Sequence, residues 1–218
     1  MVRRNLQVLA IGTILVAVIA PVTGAEPIRL AVRLNIDQDG GLSAAQLRLA
    51  IEEVGEIWKD VGVAVASGQY GDSLRSGEAT ISLRILRARA PNGDGAERVV
   101  LAWVTAIESG RSAPLLFVSL PAVTEAVMRA DALGRPVTQL TRALQERLIA
   151  RAVGRVTAHE LGHYLLQNAA HGDRGLMRAN YSSSELVGQW SDPFKVPTAE
   201  RPVFRQEVAS LARVQRPF

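Results

Sequence analysis

No cysteine occurs among the 218 residues, which excludes disulfides, thiolate zinc sites, iron–sulfur clusters, cysteine nucleophiles and lipid attachment through cysteine. Histidine is nearly as scarce, with only His159, His163 and His171, all inside one stretch of thirteen residues. Lysine is limited to Lys59 and Lys195 against 23 arginines, and no basic run interleaves with aromatics. The net charge of +4 is therefore not the footprint of a nucleic-acid-binding protein. What is present is a globular balance of 48% apolar and 21% charged residues, in a chain long enough to bury one sizeable core without staples.

Residues 1–25 read as an export signal: Arg3 and Arg4 precede an apolar run from Leu6 to Ala20, and Pro21 ends it before Thr23-Gly24-Ala25. The run falls short of the roughly 20 residues of a permanent membrane helix, so cleavage after Ala25 and a secreted or periplasmic protein are expected. An uncleaved membrane anchor is the alternative, and no second run of that kind follows.

Along the rest of the chain, residues 28–36 alternate as a strand. Ser43 then caps a helix whose Leu47, Ile51, Val54 and Trp58 recur at spacings of three and four. Residues 61–66, 80–87, 98–107 and 114–120 read as further strands, the last apolar enough to lie inside the sheet. A short helix is expected over 122–132, with a break at Gly134-Arg135-Pro136. One long helix is expected over 138–168. The fold class is α/β (α+β), a three-layer domain with a mixed twisted sheet of about five strands, a backing helix and the long helix. The opening strand–helix–strand step favours a parallel pair, and hairpin-type connections among the next strands favour antiparallel ones. The expected units are the signal at 1–25, a core at 26–168 and a loop-rich segment at 169–218 that packs on the core, with a terminal helix over 199–214.

Chemistry concentrates at His159-Glu160-Leu161-Gly162-His163, an HExxH sequence on the long helix. Residues four apart share a helix face, so both imidazoles can grip one metal ion, and Glu160 beside them can take a proton from a metal-bound water. A hydrolytic Zn2+ site takes three protein ligands and an open position. His171 is the leading third ligand, reached if the helix ends near residue 168 with Asn168 as a left-handed cap; Asp173 and Glu185 compete for the role. Gly162, costly inside a helix, points to close approach of another backbone segment beneath the site.

The stretch HELGHYLLQNAAHGDRGLM, residues 159–177, resembles the zincin metallopeptidases and in particular the metzincins, which follow HExxH with a third histidine and a methionine turn. The chain departs from that pattern in placing His171 two residues further along and in having Leu166 where a glycine is usual. The resemblance implies a zincin-like catalytic domain with Gly175-Leu176-Met177 as the methionine turn. It implies Tyr181 as a hydrogen-bond donor to the developing oxyanion, with an interfacial packing role as the alternative, and an antiparallel edge strand within 98–107 that pairs with substrate backbone. The resulting expectation is an exported zinc metalloendopeptidase acting on a peptide or protein substrate, with Glu160 as general base. Two rivals share the metal: a non-catalytic zinc-stabilised envelope module, and an amidohydrolase of non-peptide substrates.

Overall fold

The structure, a computed structural model, describes residues 30–38, 41–68, 78–89, 100–105, 115–167 and 170–214. The export segment, Asn168 and the turn at 91–95 lie outside the described residues. No described helix is long and apolar enough to cross a membrane.

The chain opens with β1 (Leu30–Gln38), α1 (Ala44–Trp58) and β2 (Val63–Gly68). Ser43 caps α1 as its sequence suggests: its hydroxyl accepts from the Gln46 backbone N–H, and the Gln46 side chain accepts from the Ser43 N–H, so two end donors are satisfied reciprocally. Next come β3 (Glu78–Leu86), β4 (Ala102–Val104), β5 (Leu115–Ser119) and α2 (Leu120–Met128), which starts two residues before its expected range. The two-residue strands β6 (Asp131–Ala132) and β7 (Arg135–Pro136) make a tight hairpin at the expected break. The long helix α3 runs Arg142–Leu166, and residues 138–141 belong to a 3-10 turn and its exit instead. Short α4 (Ser183–Val187) and terminal α5 (Arg201–Val214) complete the order.

The five main strands form one mixed sheet in the order β2-β1-β3-β5-β4, so β5 is interior as expected. β1 pairs in parallel with both β2 and β3, and β3 in parallel with β5; only β4 is antiparallel, to β5. The expected hairpins between β2 and β3 and between β3 and β4 are therefore not made. Alternation in a strand specifies which face is buried, not which neighbour it takes, and β3 crosses to the far side of β1.

Along β1 and β3 one set of alternate residues (Leu30, Val32, Leu34; Ala79, Ile81, Leu83, Ile85) is buried, while Arg84 on the other face is exposed. Helix α3 is buried on every side from Leu148 to Leu165. Such a helix needs neighbours all round: α1 lies along it, and residues 175–214 pack on it from beyond, closed by Phe204 of α5 against Trp58 at 5.9 Å. Gly154 permits the close crossing of α1 and α3, since a Cβ there would stand 2.5 Å from the Ala50 carbonyl oxygen.

Candidate metal centre

The last turns of α3 carry His159 and His163, and their Nε2 atoms lie 3.1 Å apart. Two nitrogens bound to one tetrahedral zinc at roughly 2.0–2.1 Å are about 3.3 Å apart, so the pair is already close to a ligand bite. Past α3 the chain turns at Gln167, which is left-handed (φ 49), and the expected cap Asn168 lies outside the described residues. His171 follows, and one ligand nitrogen from each of the three histidines falls within 4.8 Å of the others. Three neutral imidazoles suit zinc by donor type. The competing third ligands do not join the group. Glu185 instead accepts from the Arg178 guanidinium (2.7 Å) and from the Ser182 N–H (2.8 Å) as an N-terminal box of α4. Partial burial works against it, but those hydrogen bonds hold its carboxyl below the ordinary value.

The 3-10 turn Gly175–Met177 builds the site from beneath. Its Leu176 carbonyl oxygen accepts from His159 Nδ1–H at 2.7 Å, which leaves the Nε2 lone pair turned toward the other two rings. The Met177 carbonyl accepts from the Gly172 N–H at 2.7 Å and so pins the residue next to His171. The Met177 side chain fills the space under Gly162, where a Cβ would stand 2.4 Å from its Sδ and 3.3 Å from the Trp58 ring. The close approach expected at Gly162 is thus made by side chains and not by backbone. Gly175 supplies the positive φ of 67° that the turn needs, packed against Lys195 and Pro197.

Tyr181 bonds to the 3-10 turn. Its hydroxyl donates to the Leu176 carbonyl, on the Nδ1 side of His159, 3.4 Å from that nitrogen and away from the Nε2 side that faces the triad. Its ring stacks on Phe194 at 4.4 Å and lies beneath the Arg178 guanidinium at 4.8 Å. Tyr181 and His159 thus share the Leu176 carbonyl.

Burial is the main cause that pushes His159 down to about 4, opposed by its bond to Leu176, and burial alone raises the Glu160 carboxyl to about 7. Among the described residues the Glu160 carboxyl has no hydrogen-bond or ion-pair partner. Sequence reasoning missed Arg155, fully buried one turn before His159: it pairs with Glu53 at 2.8 Å, donates to the carbonyls of Glu185, Leu186 and Trp190, and lies over the Phe194 ring. Its signal was an arginine amid the apolar run 152–158. The Leu176 carbonyl, a backbone group, had no sequence signal at all.

No protein-family model and no curated protein matches the chain. Among solved structures it is similar to the crystal structure of archaemetzincin from Methanopyrus kandleri, at 13% identity and a TM-score of 0.47, over 84% of this chain and 98% of that one.

Proposed function

We propose that this protein is an exported zinc-dependent peptidase, with His159, His163 and His171 holding the ion and Glu160 as its general base. One observation carries the reading: three imidazole nitrogens converge within 4.8 Å, and the residue after the first of them is the buried Glu160. Zinc bound there would supply Lewis acidity and a nucleophilic water at neutral pH. Leu176 fixes the tautomer and ring plane of His159, so a lone pair is presented without rearrangement. Glu160, with its carboxyl near 7, is matched to accept a proton at neutral pH and to return it to a leaving amine. A neighbouring cation lowers that value, the direction that leaves Glu160 as an acceptor. A structural zinc site has no need of such a group.

Edge strand β4, antiparallel to β5 and in contact with α3, offers main-chain groups to an extended peptide. Export rests on Arg3, Arg4 and the apolar run after them. The deciding experiment compares the zinc-loaded chain with Glu160→Gln on a protein substrate. The variant is expected to keep one zinc per chain and to lose at least about 100-fold in cleavage; equal cleavage by both removes the assignment.

A further inference from the structure

Among the described residues only four large apolar side chains are strongly exposed, and three of them, Leu133 (60%), Leu144 (37%) and Trp190 (76%), line one groove. The groove has a volume of about 730 Å³ and lies along the first half of α3, with Leu148 in its floor. From Leu148 to His159 is about 16 Å along the helix axis, so it is separate from the metal centre.

Leu133 is the informative member. With Gly134 it forms the centre of the β6–β7 hairpin, and both have positive φ, 56° and 76°, as a type I′ turn requires. Asn-Gly is the residue pair that suits such a turn; leucine carries backbone strain there and leaves its side chain in water. Folding alone gives no reason for this choice, and strain combined with an exposed apolar side chain marks a site in use.

The groove also has a polarity. Arg147 and Arg151, one helical turn apart, stand on one wall. Arg151 is held there by its bonds to the Val187 and Gly188 carbonyls at 3.0 and 3.1 Å, while Arg147 is exposed and makes no ion pair among the described residues. Within the groove's own lining the two arginines outnumber the single carboxylate, Asp131, while on their far side they border a hollow lined by Glu52, Glu53 and Glu56. An extended peptide would bring backbone donors and acceptors that the apolar part of the lining cannot satisfy, whereas a hydrocarbon chain brings none.

We propose that this groove binds an alkyl carboxylate, its chain lying along Leu133, Leu144, Leu148 and Trp190 and its carboxylate on Arg147 and Arg151. The volume suits a medium-length chain, being within the range of about 300–1,000 Å³ usual for small-molecule sites. The inference is independent of the metal and of peptide cleavage.

Decanoate is the probe, titrated into the full chain with tryptophan emission and calorimetry read together. Trp58 is buried and Trp103 is stacked on Phe117, so the exposed indole of Trp190 carries the response. A saturable blue shift is expected, absent in Trp190→Phe. Arg147→Ser should weaken binding tenfold or more. Leu133→Asn should weaken binding while raising Tm, two movements in opposite senses that a purely structural leucine would not produce. The proposal is overturned by the lack of a saturable response, by equal binding of decyltrimethylammonium, or by unchanged affinity in Arg147→Ser or Leu133→Asn. A response to an apolar peptide but not to decanoate overturns it as well.

Discussion

Arg155 and Glu160 stand five residues apart on α3, both buried, and are treated in opposite ways by their surroundings. Arg155 is satisfied by Glu53, by three backbone carbonyls and by the face of Phe194, so its charge ties α1, α4 and the following loop to the central helix. Glu160 has no partner among the described residues, and its burial works against its own ionisation. A buried charge with every bond made is a structural tie; one left without partners destabilises the fold and is retained where it does chemistry. On a single helix, the bonding of the charge separates the two roles.

The strongest attack on this contrast is Arg155→Ala, which leaves Glu53 and three carbonyls without their donor. A loss of about 3–5 kcal/mol is expected in urea denaturation; a loss below about 1 kcal/mol would remove the structural half of the comparison.

Glu160→Gln tests the other half through the stability of the metal-free chain. The Glu160 carboxyl is raised to about 7 in the fold, so the folded state holds this proton more tightly than the unfolded one, and stability is lost as pH rises from the ordinary carboxylate value through 7. His159 is lowered to about 4, so its contribution is present above the ordinary imidazole value and lost as pH falls toward 4. In mildly acidic solution the two trends oppose each other. The variant should be more stable than its parent at pH 8 by up to about 3 kcal/mol, and the gap should shrink toward pH 5 when both are melted in chelator.

A third experiment asks whether the two regions communicate, since contacts run from Arg155 through Phe194 and Tyr181 to the Leu176 carbonyl and His159. Tyr181→Phe removes the hydroxyl and keeps the stack. Zinc affinity is expected to fall about tenfold with Tm little changed, read by competition with a chromogenic chelator.

The two helix glycines give a paired comparison of the same kind. Gly154→Ala drives a Cβ against backbone at Ala50 and should cost about 1–3 kcal/mol, whereas Gly162→Ala meets the flexible end of Met177 and should cost less than half of that. Equal losses in the two melts would deny that the metal end is the more compliant one.

How far the sequence carries depends on what kind of information each feature needs. The spacing of His159 and His163 is itself geometry once the segment is helical, and the capped, periodic 44–58 helix specifies itself locally. His171 was legible because no other imidazole exists to compete with it. The sheet order was not, because strand patterning for β2, β3 and β4 names a buried face and no partner. The contacts of Tyr181 were not legible either, since the course of the chain around it is set with Phe194 and Lys195, far along the sequence. Leu133 passed unnoticed because a leucine before a glycine looks ordinary until its φ is known.

The carbonyl of Leu176 has a consequence for how the centre is loaded. Both of its acceptor positions are engaged, by His159 and by Tyr181, so the imidazole keeps its hydrogen on Nδ1 and stays uncharged down to about pH 4. That ring therefore gives up no proton when an ion arrives in near-neutral solution. Calorimetric titrations of zinc in buffers of different ionisation enthalpy should report protons released by other groups only, and the uptake rate should owe nothing to a tautomer flip at His159.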